Sequence, residues 1–238
     1  AALAFGTCAQ SPIIPRGDDA DDAERDRATK EQINRRPIGL VADEAFAPKL
    51  VMLLRLDRAG IRTLHPPRVV QSLYLDTPFQ KALQENLAGL SRREKLRLRW
   101  YGEVGVGVHA KLERKCRENS MGWKESASIA GALDVAGVER HAFMEGLVRR
   151  CDARWSALLA GFEPAQWVRY RREYFTSADQ RVRLTLDREL AFADQRRLMR
   201  LGPRERTPSA RVLVLELKCA PDDLARARDI LGRQIGRA

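Results

Sequence analysis

Lys95-Leu96-Arg97-Leu98-Arg99-Trp100-Tyr101 sets cations and apolar residues in alternation. Side chains of a strand point alternately to its two faces, so this stretch predicts a strand with one apolar and one cationic face. The pattern returns in Lys111-Leu112-Glu113-Arg114-Lys115-Cys116-Arg117, Tyr170-Arg171-Arg172-Glu173-Tyr174, Arg181-Val182-Arg183-Leu184-Thr185-Leu186-Asp187 and Val214-Leu215-Glu216-Leu217-Lys218. A solvated sheet face would be richer in Ser, Thr, Gln and Glu. These faces are mostly cationic, and three of the five carry a carboxylate.

The polar faces together hold Lys95, Arg97, Arg99, Lys111, Lys115, Arg117, Arg172, Arg181, Arg183 and Lys218, with the carboxylates Glu113, Glu216 and Asp187 and the hydroxyls of Tyr170 and Thr185. Arg grips phosphate through paired donors and Lys acts as a point charge. Hard carboxylate oxygens suit Mg²⁺ or Mn²⁺, with phosphate oxygens completing the shell. The mixture therefore points to a polyphosphate ligand with a divalent metal. A nucleic-acid face would interleave aromatic stacking platforms with its cations. Here Trp100 falls opposite Arg97 and Arg99, and few aromatic residues, Tyr170 and Tyr174 among them, share a face with cations, so no nucleic acid is expected. No nucleophile motif, P-loop or strand-borne dinucleotide fingerprint occurs.

The bulk numbers agree. The chain has 238 residues, 44% hydrophobic and 32% charged, enough for one large domain or two small ones. Lys plus Arg is 43 against 32 Asp plus Glu, a net charge of +11 that calls for an acidic partner. The cysteines, Cys8, Cys116, Cys151 and Cys219, show no C-x-x-C spacing, which disfavours zinc. Cys116 and Cys219 fall on apolar strand faces and read as reduced, buried thiols of a cytoplasmic protein. No apolar run is long enough to span a membrane, so any membrane subunit would be a separate partner. The sequence opens on Ala1 rather than Met, which suggests a fragment or a processed product.

Along the chain, residues 1–33, with the run Asp18-Asp19-Ala20-Asp21-Asp22-Ala23-Glu24, read as a disordered acidic leader, and 34–238 as a single domain. Arg35–Val41 is a poor first strand. Asp43 caps a helix to about Leu56, His65-Pro66-Pro67 is a turn, Val69–Asp76 a strand and Phe79–Leu90 a helix. Strands follow at 94–101, 108–117 and 123–129, with a Gly-rich hairpin loop joining the first two. Residues 131–161 are mainly helical, strands return at 167–175, 181–188 and 211–219, and Asp222 caps a last amphipathic helix. The predicted fold is α+β, an antiparallel eight-stranded tunnel-like β-barrel with flanking and inserted helices. If its apolar faces pack outward, its charged faces line the lumen.

From about Val69 to Ala238 these segments resemble the VTC domain, the polyphosphate polymerase domain among the triphosphate tunnel metalloenzymes, which are related to the CYTH triphosphatases. Ser72-Leu73-Tyr74-Leu75-Asp76-Thr77 is similar to the family's S-x-Y-F-D-T, Arg93–Tyr101 to R-x-K-x-R-x-R-x-Y, and Leu112-Glu113-Arg114-Lys115 to L-E-x-K with Lys124 as a further basic residue. Tyr170–Tyr174 resembles Y-x-R-x-x-Y one residue short, Arg183–Asp187 matches R-x-T-x-D, and Glu216-Leu217-Lys218 the late E-x-K. The resemblance implies a tunnel in which the γ-phosphate of ATP passes to a growing polyphosphate chain. It assigns Lys95, Arg97, Arg99 and Lys218 to catalysis, and Lys111, Lys115, Arg117, Lys124, Tyr170, Arg172 and Arg183 to phosphate binding. Glu216, Glu113 and Asp187 would hold Mn²⁺ or Mg²⁺. The family pattern matches Asn34–Ile38 only loosely and continues into Ser-Lys-Tyr where this sequence ends at Gly236-Arg237-Ala238. The reading therefore expects either a truncation or a protein without that lysine. A tunnel triphosphatase acting on triphosphate or a nucleoside triphosphate, and a non-catalytic polyphosphate-binding module, stay open as alternatives.

Overall fold

A computed structural model of the chain describes residues 38–103, 107–119, 121–203, 206–207 and 211–235. The expected acidic leader and the first residues of the expected domain lie outside the described residues. The strands are β1 (Ile38–Asp43), β2 (Arg62–Asp76), β3 (Arg92–Tyr101), β4 (Lys111–Glu118), β5 (Met121–Ser128), β6 (Glu163–Thr176), β7 (Val182–Asp194), β8 (Arg206–Thr207) and β9 (Val212–Cys219). The helices are α1 (Ala47–Arg55), α2 (Lys81–Leu87), α3 (Arg140–Arg149), α4 (Ala153–Leu159) and α5 (Leu224–Ile235).

One antiparallel sheet runs in the order β1-β9-β7-β6-β2-β3-β4-β5, and β8 adds to β7. Its two ends, β1 and β5, are not paired with each other among the described residues, so the path is open rather than closed into a hydrogen-bonded barrel. The alternation read from the sequence decides which face is buried. Leu96, Leu98, Trp100 and Leu112 point away from the cations into a core closed by α3 and α4, where Phe143, Leu147, Trp155 and Leu159 meet them. Leu184, Leu186, Leu213, Leu215 and Leu217 build a second core under α1 and α5 with Leu50, Leu54, Ile230 and Leu231. The apolar side thus packs outward against helices and leaves the charged side inward.

Polar ties fix these elements. Trp167 Nε1 donates to Gln71 Oε1 at 2.8 Å and its ring meets Trp100 edge to face, centroids 5.1 Å apart. Asp43, Glu139 and Asp152 each cap the turn or helix that follows, and Asp76 accepts from the backbone of Ala82 and Leu83 to start α2. Arg233 and Gln234 of α5 hold Asp57, whose carboxyl is buried yet kept below the usual range, mainly by Arg233. Removing Leu98 side-chain volume tests the packing. Leu98→Ala is expected to lose about 2–5 kcal/mol of unfolding free energy in urea titration, whereas an unchanged midpoint would contradict its full burial.

Several boundaries differ from the sequence expectation. His65-Pro66-Pro67 is no turn. It lies within β2, where the pairing with β6 shifts register between His65 and Arg68, because prolines have no N–H to give the ladder. The helix expected over Phe79–Leu90 shrinks to Lys81–Leu87. The segment 131–139 is irregular rather than helical: isolated bridges join Leu133 to Val108 and Glu139 to Arg200, and a turn at 136–137 lies between them, before α3 begins. Asp222 does not cap α5: it sits inside the turn Pro221–Asp223, and its neighbour Asp223 instead pairs with Arg181 at 2.7 Å. Cys116 is buried with a free thiol, and Cys219 is buried as expected.

Candidate functional site

Cross-strand register places the cationic residues in rows on the inward face. Tyr74, Arg97, Glu113 and Ser126 stand opposite one another across β2-β3-β4-β5. Ser72, Arg99, Lys111 and Ser128 form the row on one side, and Lys95, Lys115 and Lys124 the row on the other. In the other half, Tyr174, Thr185 and Glu216 face one another across β6-β7-β9, flanked by rows holding Arg172 with Asp187 and Arg183 with Lys218. Like charges directly opposite disfavour pairing; the lysine row is relieved by solvent exposure and by the ion pair of Lys124 with Glu113 at 2.8 Å.

The centre of this face is one connected network. Glu113, only 4% exposed, accepts from Arg97 Nε at 2.8 Å and lies 2.7 Å from Arg97 Nη2, 2.8 Å from Lys124 Nζ and 3.8 Å from Arg99 Nη1. Burial pushes its carboxyl up, but Arg99, Arg97 and Lys124 outweigh that and hold it at about 2. Arg97 also donates to the Tyr74 hydroxyl at 3.2 Å. Burial acts to raise that phenol, yet Arg97, Arg99 and Lys95 draw it below the usual tyrosine range. Arg99 donates to the Tyr170 hydroxyl at 3.3 Å, the Arg172 guanidinium sits 5.1 Å over the Tyr170 ring, and Arg172 forks onto both Asp187 oxygens at 2.6 and 2.7 Å. Burial pushes the Tyr174 phenol up to about 12.

The two halves face each other. Burial holds the Lys115 ammonium below the usual lysine range, and the next cause is the charge of Lys218, with Arg97 and Lys95 adding and Glu216 opposing. Lys115 lies on β4 and Lys218 on β9, far apart along the hydrogen-bonded path. A curl of the sheet into a tunnel-like trough accounts for a charge on β9 reaching Lys115 on β4.

Of the residues singled out from sequence, Arg97, Arg99, Glu113, Lys124, Tyr170, Arg172 and Asp187 meet in the central network. Lys95, Lys111 and Lys115 occupy adjoining rows. Arg183 and Lys218 lie on the β7–β9 wall, and Arg117 is exposed at the rim, its Nε donating to the Asn119 carbonyl. The three carboxylates do not converge: among the described residues no three His, Cys, Asp or Glu side chains gather as a metal site. Glu113 and Asp187 are occupied by arginines, whereas Glu216 is a quarter exposed, with Lys218 Nζ at 3.4 Å. Opposite Glu216, Thr185 Oγ1 is buried without a hydrogen-bond partner within the described chain, as are Ser72 Oγ and Arg99 Nε. Mg²⁺ commonly takes one or two carboxylates and completes its shell with water and phosphate, so Glu216 beside an unsatisfied hydroxyl fits such an ion without a preformed cage.

Sequence reasoning assigned no role to Tyr74, Ser72 or Arg68. In the sequence Tyr74 and Ser72 stand out only as members of the Ser72–Thr77 motif. Their even spacing from Asp76 was the available sign that they share its face. Arg68, 5.5 Å over the Tyr101 ring, lies beyond the proline pair that had been read as a turn.

The chain belongs to the VTC-domain family, whose model matches residues 49–235. Among solved structures, a Vibrio parahaemolyticus protein described as a candidate adenylate cyclase is 14% identical, over 83% of this chain and 87% of that one, with a TM-score of 0.47. A Hippeastrum protein described as a candidate adenylyl cyclase with a dominant triphosphatase activity is also 14% identical, over 84% of this chain and 87% of its own, with a TM-score of 0.47. No curated protein matches the chain significantly. No helix among the described residues is long and apolar enough to cross a membrane.

Proposed function

We propose that this chain is a polyphosphate polymerase domain that moves the γ-phosphate of ATP onto a polyphosphate chain. The observation that carries the reading is the connected cationic network from Lys124 through Arg97 and Arg99 to Arg172, continued by rows of cations along the same face. From Arg99 to Arg93, six residues of β3 extend the cationic track by about 20 Å at ~3.4 Å per residue, a length that suits a polymer better than a lone triphosphate. Membership of the VTC-domain family supports the same substrate class.

In this reading Arg97, Arg99 and Arg172 grip the reacting phosphates. Lys95 and Lys218 neutralise charge as the Pγ–O bond to the ADP leaving group breaks and a terminal phosphate oxygen of the chain forms the new bond. Lys111, Lys115, Lys124, Arg117, Arg183 and Tyr170 hold the remaining phosphates. Glu216 would hold Mn²⁺ or Mg²⁺, which when bound polarises the phosphoryl group. Glu113 and Asp187, placed as metal ligands from sequence, act here as counter-charges that aim arginines.

Purified protein given ATP and Mn²⁺ is expected to form polyphosphate resolvable as a ladder on a gel, with ADP released in step. Orthophosphate without polymer would replace this reading with a triphosphatase. Tight tripolyphosphate binding with no turnover of ATP would replace it with a binding module.

A further inference from the structure

The β2–β3 and β4–β5 hairpins turn at the same end of the sheet, because Leu75 pairs with Leu96, Arg92 with Glu118, and Glu118 with Met121. That end carries an unusual concentration of exposed apolar side chains. Phe79 is 84% and Leu87 79% exposed, and Leu83, Leu90 and Met121 are each about half exposed. Leu83 and Leu87 stand one turn apart on α2, with Phe79 just before the helix and Leu90 just after it, so this short segment presents four exposed apolar side chains. A core-facing stripe would be buried, as the corresponding leucines of α1 are.

Cations flank these side chains: Arg92 and Arg93 at the start of β3, the latter donating to the Leu90 carbonyl, and Arg117 at the end of β4, with the Lys95-Lys115-Lys124 row just inside the trough. The carboxylates nearby are largely engaged: Glu85 with Lys81 at 3.8 Å, Glu94 with Arg114 at 2.6 Å and Glu113 with Arg97 and Lys124. Glu118 is the exposed acid at this end. Apolar side chains standing out of a cationic rim have the chemistry of a surface that inserts shallowly into the headgroup region while its cations meet anionic lipid.

We propose that this end of the trough docks on an anionic phospholipid bilayer, with Phe79, Leu83, Leu87 and Leu90 inserted and the surrounding cations on the headgroups. A purely electrostatic attachment would need no exposed stripe, and a purely apolar one no cationic rim. Charge complementarity selects the bilayer as occupant.

The test compares binding of the full chain to vesicles of phosphatidylcholine alone and of phosphatidylcholine with phosphatidylserine. The protein is expected to co-sediment with the mixed vesicles and poorly with the neutral ones. Phe79→Asp combined with Leu87→Asp should weaken binding at least about tenfold, since each change removes an inserted apolar side chain and sets a negative charge against anionic headgroups. Met52→Asp with Leu56→Asp, the same change in charge at exposed positions on and just after α1, should leave it within about twofold. Unaltered melting and tripolyphosphate affinity in the first variant would show that the fold and trough are intact. Equal binding by both variants would overturn the proposal, as would no binding by the unaltered chain. A self-association seen in sedimentation velocity and lost with Phe79→Asp/Leu87→Asp, without lipid binding, would overturn it in favour of a second copy of the chain.

Discussion

Glu113→Ala is expected to cut turnover about 100-fold while leaving tripolyphosphate affinity unchanged or tighter. Two effects oppose each other. Removing the carboxylate frees Arg97, Arg99 and Lys124 from their shared counter-charge, which strengthens their pull on any phosphate. It also removes the one group that fixes all three in place, and displacement of a positioned group by about 1 Å costs on the order of 100-fold in rate. Binding and rate should therefore move apart. If Glu113 were instead a metal ligand, the variant would need more Mn²⁺ or Mg²⁺ for half-maximal activity, so a titration of metal separates the two roles. Stability should fall by about 3–5 kcal/mol, as when one partner of a buried ion pair is deleted.

The same carboxyl makes stability depend on pH. Its folded value, about 2, lies below the reference of 4.5, so the unfolded chain binds the extra proton. The contribution is present above about pH 4.5, declines as the pH falls toward 2, and is on the order of 3 kcal/mol. Urea midpoints measured between pH 6 and 2.5 should converge for Glu113→Ala and the unaltered chain. A constant gap across that window would show that the carboxylate does not carry it.

Glu216→Ala is expected to lower metal-dependent turnover by about 1,000-fold, since a cation polarising a phosphoryl group supplies several kcal/mol at ~1.36 kcal/mol per tenfold. The fold should survive: Glu216 is a quarter exposed and its ion pair with Lys218 spans 3.4 Å, a weak contact by measured standards. Melting should stay within the ±0.5 kcal/mol typical of surface changes, and tripolyphosphate binding in chelator should persist through the arginines. Turnover that survives the substitution would remove Glu216 from the metal role.

The strands were legible because a two-residue period is a local property: Lys95–Tyr101 states both faces of β3 without reference to any partner. Which face turns inward also followed, since leucines between arginines must be covered. What a lone sequence could not give was register. Glu113 and Glu216 look alike as carboxylates between cations, yet one stands opposite Arg97 and is caged while the other stands opposite Thr185 and is partly open. The same gap explains why three carboxylates were gathered around one metal. Helical periodicity overshot at Phe79–Leu90 because apolar spacing does not register the left-handed backbone at Gln80 and Gly89 that breaks the helix on either side of Lys81–Leu87.

The unpaired ends of the sheet bear on how a long product could depart. A ring releases a threaded polymer only by its tips, so release slows as the polymer lengthens. The described sheet is a slit: no backbone ladder joins β1 to β5 among the described residues. Widening such a slit breaks no main-chain hydrogen bond between β1 and β5 among the described residues. Under the proposed polymerase activity, such a slit would let a strand of any length leave sideways in one motion, with a release time that does not grow with polymer length.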